Sequence, residues 1–264
     1  MTDSKNTADM LNPLISIVMP AYNAERYIAP AIQSVLDQTY PHFELIVVND
    51  CSRDRTAEII QEFAEKDPRI IFLQNEKNSG VCVTRNRAFN EAKGEWIALL
   101  DSDDMWRADK LELQLQCLRD NPDACLVYTA SAFMDMEGNP FSYQMPVDAS
   151  VTYNGLLRRN QISCSSVLVK KDLLLKYPMV GDQLHEDYVT WMQILKEIPC
   201  AYGINEPLLI YRLSANSRSA NRISSAKMLY RSYRYMGYGA VRSAVMVFRY
   251  TLYSVNKRRK IFHS

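Results

Sequence analysis

Three carboxylates lie within four residues, directly after an apolar stretch. The segment is Asp101-Ser102-Asp103-Asp104, and it follows Trp96–Leu100. Adjacent carboxylates repel one another unless a cation neutralises them, and their oxygens suit Mg²⁺ or Mn²⁺, ions that also bind substrate phosphates. Aspartates are also favoured as helix caps, and Asp104 is expected to cap a helix starting near Trp106. The pattern therefore predicts either a metal site or a cap.

Polar residues also follow two other apolar stretches. Pro20-Ala21-Tyr22-Asn23 follows Leu14–Met19, and Asp50 follows the valine-rich Phe43–Asn49. The Asp50 carboxylate can accept a hydrogen bond from the N–H of a nucleotide base while the Tyr22 ring stacks on that base. An ordinary turn would use the same aspartate without any ligand. Both interpretations stay open at this point.

Two later segments carry further candidates. Gly80 allows a ligand close to the backbone, and Arg85, in a predicted helix, can bind a diphosphate through its planar set of donors. Glu186 and Asp187 begin another predicted helix, where one carboxylate can act as a general base that takes a proton from a hydroxyl. The alternatives are an exposed helix arginine and a pair of helix caps.

Apolar stretches alternate with amphipathic ones, and this alternation predicts how the candidates are positioned. The predicted strands are Leu14–Met19, Phe43–Asn49, Ile70–Leu73, Trp96–Leu100, Cys125–Tyr128 and Ser163–Lys170, and the predicted helices are Glu25–Gln38, Arg55–Lys66, Thr84–Ala92, Lys110–Leu118 and Tyr188–Lys196. Strand and helix repeated four times predict an α/β fold with a parallel sheet covered on both faces. Ligands of such sheets bind at the carboxyl ends of the strands, where the polar segments are expected to meet.

Missing motifs disfavour several classes of protein. The 8 glycines form neither G-x-G-x-x-G nor a Walker A loop, which disfavours dinucleotide dehydrogenases and P-loop kinases. With 3 histidines and no G-x-S-x-G, the chain lacks the parts of zinc proteases and α/β-hydrolases. The start of the chain is polar and no run of about 18 apolar residues occurs, so neither a secretion signal nor a spanning helix is expected.

Charge is divided unevenly along the 264 residues. Glu206 is the last acidic residue, and the segment after it carries 12 Lys and Arg, whereas the preceding body carries 19 against 30 Asp and Glu. The tail is expected to form a basic amphipathic helix, split at Gly237 and Gly239. At about 100° per residue, four arginines fall within an arc of about 80° and four apolar residues lie on the opposite side of the helix. The arginines are Arg231, Arg234, Arg242 and Arg249, and the apolar residues are Met236, Ala240, Val247 and Phe248. This predicts contact with an anionic membrane surface; packing on the acidic body and nucleic-acid binding are the alternatives.

Taken together, the order and spacing of these segments resemble the family 2 glycosyltransferases. The similarity covers residues 14–213 and is carried by Ser16–Glu25, Val48–Ser52, Asn78–Gly80 with Arg85-Asn86, Leu99–Asp104, and Glu186–Tyr188 with Trp191. It implies the GT-A fold, a Rossmann-like, mostly parallel sheet flanked by helices. The implied divisions are a flexible N-terminus (1–13), a nucleotide-sugar-binding half (14–130), an acceptor-binding half with the catalytic base (131–213) and the basic, aromatic helical tail (214–264).

The resemblance also assigns roles to individual residues. Asp187 matches the catalytic base, while Asp101 and Asp103 match the metal ligands, Asp103 being the direct one. The positions that match nucleotide-sugar binding are Pro20, Tyr22, Glu25, Asp50, Gly80, Arg85, Asp101 and Ser102. Asn49 departs from the pattern, because the family often has a further aspartate there.

The activity implied is a metal-dependent, inverting transfer of a hexose from a UDP-sugar to a glycan hydroxyl. Within the family, Asn205–Leu208 and Tyr211-Arg212 look most like small bacterial transferases of surface polysaccharides, of the teichuronic acid and O-antigen type. The expected cofactor is Mn²⁺ or Mg²⁺, and the expected acceptor is linked to a polyprenyl diphosphate or to lipopolysaccharide. The expected location is the cytoplasmic face of the cell membrane, with no nucleic-acid partner. A non-catalytic module of the same fold that binds a sugar nucleotide or glycan is the alternative; it predicts a broken Asp-x-Asp or a missing base, and both are present.

Overall fold

The computed structural model describes residues 12–181, 183–213 and 222–262. The expected flexible N-terminus up to residue 11 and the start of the tail, residues 214–221, lie outside these ranges. The strands are β1 (Ile15–Ala21), β2 (Phe43–Asn49), β3 (Ile70–Gln74), β4 (Trp96–Leu99), β5 (Met105–Trp106), β6 (Leu126–Met134), β7 (Ser150–Val151), β8 (Leu168–Lys170) and β9 (Ala201–Arg212). The helices are α1 (Ile28–Leu36), α2 (Thr56–Lys66), α3 (Val81–Glu91), α4 (Lys110–Asp120), α5 (Tyr153–Arg158), α6 (Lys171–Lys176), α7 (Glu186–Ile194), α8 (Arg222–Tyr235) and α9 (Ala240–Phe262).

The strands of the described residues form one sheet in the order β3-β2-β1-β4-β8-β6-β9-β5, with β7 paired to β9. The first four are parallel, because β1 pairs in parallel with β2 and β4, and β2 with β3. This confirms the expected α/β fold with a central sheet flanked by helices. Antiparallel pairs join β8 to β4 and β6, and β9 to β5 and β7.

Alternating residues of the central strands pack on opposite faces of the sheet. Ile17 and Met19 of β1 belong to the apolar cluster that includes Ile28 of α1, whereas Val18 belongs to the cluster that includes Phe89 of α3. All seven residues of β1 and of β2 are buried. Burial on both faces explains why these strands are nearly continuous apolar runs in the sequence.

The structure differs from the sequence prediction in the second half of the chain. Of the predicted strand Ser163–Lys170 only β8 is a strand, because Cys164–Ser166 forms a 3₁₀ turn. Strand β6 runs on to Met134, and its partner β9 was not predicted. Gly203, Asn205 and Pro207 weaken the strand pattern of β9, and the β6–β9 register shifts at Ala130.

The tail forms two helices, α8 and α9, which confirms the expected split at Gly237 and Gly239. It also contacts the body, since Tyr233 is fully buried and Met236 and Val247 pack against the apolar cluster that includes Phe89, which is the larger of the two and is called the large apolar cluster below. The apolar face expected opposite the arginines is therefore shared between the body and solvent. Among the described helices, none combines the length and apolar character that a membrane crossing requires.

Candidate active site

The carboxyl ends of β1, β2 and β4 lie side by side, because these strands are parallel neighbours. Loops that follow them carry most of the residues expected to bind a ligand. The loops after β1 and β2 are joined by hydrogen bonds: Asn23 N–H donates to Ser52 Oγ (2.9 Å), and Asn23 Oδ1 accepts from Arg53 N–H (2.9 Å). Glu25 contributes to the same connection, since its Oε2 accepts from Arg55 N–H (3.0 Å). Glu25 thus fixes the shape of this edge.

Pro20 and Tyr22 occupy different environments at the end of β1. Pro20 is buried within the strand opposite Val48. Tyr22 lies just beyond the strand and is 46% exposed. An exposed ring on a loop held by hydrogen bonds provides a surface on which a planar group can stack.

Asp50 organises the next loop through its own carboxylate. Its Oδ1 accepts hydrogen bonds from Asn75 Nδ2 (2.7 Å) and Ser79 N–H (2.8 Å), and its Oδ2 accepts from Gly80 N–H (2.9 Å). Gly80 has φ 84°, a left-handed conformation that favours glycine, and precedes α3. Asp50 therefore shapes the glycine loop, a structural role of longer range than the ordinary turn considered from the sequence.

Arg85 lies in α3 and connects two acidic segments. Its Nη1 is 3.1 Å from Glu186 Oε1, and its Nη2 contacts Asp101 Oδ1. The arginine is 3% exposed. Burial opposes its charge, but the carboxylates of Asp101 and Glu186 hold its pKa well above the usual value, so it stays charged. The exposed helix arginine considered as the alternative is wrong, since this one is buried between two carboxylates.

The loop after β4 gathers the three aspartates of the first motif. Asp101 N–H donates to Ser165 Oγ (3.1 Å), and Ser102 and Asp103 are half-buried beside it. Burial and the charge of Asp101 raise the pKa of Asp103 to about 6. Burial, with the charge of Asp103, also raises the pKa of Asp104 well above its usual range. Burial and mutual repulsion therefore both oppose the ionisation of Asp103 and Asp104.

Asp104 does not cap a helix near Trp106, so that expectation is wrong. Met105–Trp106 forms β5, which pairs with β9, and α4 begins only at Lys110. Asp104 instead attaches the loop to β9, because its Oδ1 accepts from Arg212 N–H (2.9 Å). Its Oδ2 is buried, and a side-chain hydrogen bond with Ser165 acts to lower the pKa that burial raises.

The acidic loop fits a divalent cation that completes its coordination with other ligands. Within residues 12–181, 183–213 and 222–262, no three His, Cys, Asp or Glu side chains are placed to hold a metal ion by themselves. Mg²⁺ commonly binds one or two carboxylates and takes its other ligands from phosphates and water. Asp101 and Asp103 match that requirement, because they supply two carboxylates from one loop directly after β4.

Asp187 stands in the first turn of α7, one residue after the partner of Arg85. Its Oδ1 accepts from Tyr188 N–H (2.7 Å), and the side chain is half-buried. Burial and the neighbouring charge of Glu186 raise its pKa, while His185 and Arg85 act in the opposite direction. A carboxylate with a raised pKa is a stronger base than an ordinary one, which suits proton abstraction.

Three residues near these carboxylates have surroundings that the sequence did not predict. Glu186 is the buried ion-pair partner of Arg85. The two residues are 101 positions apart in the chain, and no local sequence pattern predicts a pairing at that separation. Tyr211 has its pKa raised by burial and by the charges of Asp104 and Asp103. Cys164 is buried within electrostatic reach of Arg85, and burial raises its pKa well above the usual value.

Several known proteins are similar to this chain in sequence. The sequence profile of "Glycosyl transferase family 2" matches residues 16–166. A "Putative teichuronic acid biosynthesis glycosyltransferase TuaG" of Bacillus subtilis is 39% identical over 84% of this chain and 88% of its own length. "UDP-Glc:alpha-D-GlcNAc-diphosphoundecaprenol beta-1,3-glucosyltransferase WfgD" of Escherichia coli is 37% identical over 81% of this chain and 83% of its own length.

Solved structures agree on the fold. S. aureus TarS 1-349 in complex with UDP-GlcNAc superposes with a TM-score of 0.71 over 88% of this chain and 70% of its own, at 20% identity. A mannosyltransferase from Pyrobaculum calidifontis in complex with GDP-Man and Mn²⁺ superposes with a TM-score of 0.67 over 89% of this chain and 70% of its own chain, also at 20% identity. Together with the profile match over more than half of the sequence, these similarities show that the chain belongs to glycosyl transferase family 2.

Proposed function

We propose that this glycosyltransferase moves a sugar from a UDP-sugar to a hydroxyl of a lipid-linked glycan, inverting the anomeric carbon. The observation that carries the proposal is the Arg85 bridge, which joins the Asp101–Asp103 loop to the helix that begins with Glu186 and Asp187. A donor diphosphate at the loop and an acceptor hydroxyl at Asp187 would then lie on two sides of one anomeric carbon. The names of WfgD and TuaG support a lipid-linked acceptor and surface polysaccharide synthesis.

In the proposed step, Asp187 takes the proton of the acceptor hydroxyl as its oxygen bonds to the anomeric carbon. The bond from that carbon to the diphosphate oxygen breaks, and UDP leaves with the electron pair. A single displacement of this kind inverts the anomeric centre and needs no covalent nucleophile. Mg²⁺ or Mn²⁺, when bound, neutralises charge that develops on the diphosphate.

Chain residues position the donor in this proposal. Tyr22 stacks on the uracil, and Asp50 and Gly80 shape the loop beneath the nucleotide. Asp101 and Asp103 hold the cation, with Asp101 fixed by Arg85. Residues 131–213 supply the acceptor side. The reaction is proposed to take place at the inner face of the cell membrane, where a polyprenyl-diphosphate acceptor is presented.

A UDP-release assay tests the proposal. The purified chain is supplied with a panel of UDP-sugars, a polyprenyl-diphosphate-linked glycan and Mn²⁺ or Mg²⁺. Asp187→Asn is expected to reduce transfer by at least about 10² while calorimetry shows unchanged donor binding. The exposed Asp172→Asn is the matched control. Equal losses of donor affinity and rate in Asp187→Asn would show that Asp187 binds donor, and donor binding by wild type without any transfer would favour the non-catalytic module.

A further inference from the structure

Helix α9 carries apolar side chains on two opposite faces. One face contacts the body: Met246, Val247 and Tyr250 pack against the large apolar cluster, and Ser243 is fully buried. This inner face accounts for how the helix is held. It leaves the apolar residues on the other side without an explanation.

The other side of α9 presents an apolar stripe to solvent. Val241 is 79% exposed, Val245 is 52% exposed and Phe248 is 66% exposed. Their spacing of i, i+4 and i+7 places them on one side of the helix. We call these three residues the outer stripe. Scattered exposed apolar residues are ordinary, but an aligned set on one helix marks a surface that another component covers.

Charge identifies what kind of component that is. Arg242 and Arg249 are exposed and lie beside the outer stripe, about 90° around the helix. Since Glu206 is the last acidic residue, nothing in the tail offsets them. The covering surface must therefore be anionic and apolar at once. A nucleic acid would leave the two valines of the outer stripe in water, and a second copy of the chain would bring two basic tails together.

We propose that the outer stripe, with Arg242 and Arg249 along one side of it, docks on an anionic lipid bilayer, with α9 lying in the headgroup region. This geometry is that of an interfacial helix with basic residues beside an apolar face. The inference extends the proposed function, on which it rests for the lipid-linked acceptor.

Docking through α9 would also orient the active site. Helix α8 precedes α9, and its Ser232 Oγ accepts a hydrogen bond from His185 N–H (3.0 Å), immediately before Glu186 and Asp187. Tyr233 of α8 packs edge-on against Tyr188 of α7, with ring centroids 6.1 Å apart. The docking surface is thus joined through α8 to the start of the helix that carries the proposed base.

Point variants test the surface better than deletion of the tail, because Leu229 and Tyr233 belong to the core. The full chain is sedimented with vesicles of phosphatidylglycerol and phosphatidylcholine, without donor or acceptor. Val245→Gln combined with Phe248→Gln is expected to lower the partition coefficient about tenfold. Arg249→Gln is expected to lower it about fivefold, the equivalent of about 1 kcal/mol.

Leu175→Gln is the matched control, because Leu175 is also an exposed apolar side chain (42%) but belongs to α6 and not to the tail. It should bind vesicles as wild type does, and all variants should keep the wild-type circular dichroism and melting temperature. Vesicles of phosphatidylcholine alone, or high salt, should weaken wild-type binding.

Unchanged vesicle binding in Val245→Gln with Phe248→Gln would overturn the proposal. If that variant instead converts a wild-type dimer to a monomer and still binds vesicles, the outer stripe is an interface between copies and the proposal fails. Vesicle binding is measured without donor or acceptor and so does not depend on the activity. If the wild-type protein binds vesicles but transfers no sugar, the proposed function fails and the docking proposal does not.

Discussion

Arg85 and Glu186 form a buried ion pair, with 3.1 Å between Nη1 and Oε1 and only 4% of either side chain exposed. The other terminal nitrogen of the guanidinium contacts Asp101. One arginine thus fixes both the first aspartate of the acidic loop and the residue before the proposed base. Arg85 belongs to α3, which begins directly after Gly80, and Asp50 accepts a hydrogen bond from Gly80 N–H. The glycine loop is therefore connected through α3 to the Arg85 ion pairs.

Glu186→Gln should destabilise the protein and reduce transfer. Removing one partner of a buried pair leaves an under-compensated charge, at a cost of about 3 kcal/mol in the free energy of unfolding. Urea denaturation provides the measurement. Glu197→Gln is the control, because Glu197 pairs with Lys176 at the surface, and such pairs contribute little. Equal stability of the two variants would mean that the Arg85–Glu186 pair does not hold the site together.

The pH dependence of transfer should reflect the raised pKa of Asp187. A base acts when deprotonated, so kcat/KM should rise with pH through a value above the ordinary aspartate pKa of about 3.9. Glu186 is a cause of the raised pKa, whereas His185 and Arg85 oppose it. Glu186→Gln should therefore move the acid limb of the profile to lower pH. An acid limb at the ordinary aspartate position in wild type would contradict this assignment.

Asp187→Asn should not lower stability at neutral pH. The raised pKa of Asp187 means that ionising this carboxyl costs free energy in the folded protein. The protonated carboxyl therefore favours folding at acidic pH, and this contribution to stability is lost as pH rises through the folded-state pKa. Thermal melts of wild type and Asp187→Asn at neutral pH measure the effect. A large fall in the melting temperature of the variant would give Asp187 a structural role.

Asp103→Asn should abolish metal-dependent transfer without harming the fold. Removing one of three neighbouring carboxylates relieves repulsion in the free protein, so the melting temperature without metal should not fall. Calorimetric titration of Mn²⁺ in the presence of UDP should show at least about tenfold weaker binding, the loss of a charged ligand. Transfer at full rate by wild type in excess EDTA would contradict the metal role of both Asp101 and Asp103.

Tyr22→Ala should weaken UDP binding, whereas Tyr22→Phe should retain it. Stacking of a base on an aromatic ring contributes about 1–3 kcal/mol, and phenylalanine preserves the ring face. Tyr22 is 46% exposed, so neither change should affect folding. Calorimetry with UDP distinguishes the two variants. Similar affinities in both would place the base elsewhere.

Ser232→Ala should lower kcat more than it changes the KM for donor. The change removes the acceptor of His185 N–H, next to the helix of the proposed base, and leaves a partly buried donor unpaired. Ser243→Ala is the matched control, because this buried tail serine bonds to the backbone of Gly239 in its own segment. Steady-state kinetics of both variants provide the comparison, and equal kcat values would deny α8 a positioning role.

The sequence determined the first half of the fold and the chemical character of the site. The strand Phe43–Asn49 was predicted to the residue and the other strands of this half to within two residues at each end up to β4, because burial on both faces requires an unbroken apolar run. Polar residues at the ends of parallel strands must meet at one edge, so the positions of Tyr22, Asp50 and Asp101 followed from order alone. The second half was harder, since the long strand β9 contains Gly203 and Pro207 and depends on its partners for its structure.

Tertiary structure decided which charges neutralise one another and which apolar faces are covered. The contact of Arg85 with Glu186 spans 101 residues, and no periodicity in the sequence encodes a pairing at that range. The sequence predicted Asp104 as a helix cap. In the structure its carboxylate accepts a hydrogen bond from Arg212 N–H instead, because β5 and β9 pair at this point. Helical spacing alone could not separate Val247 from Phe248 on the tail, because only the packing of α9 on the body buries the first against the core and leaves the second in solvent.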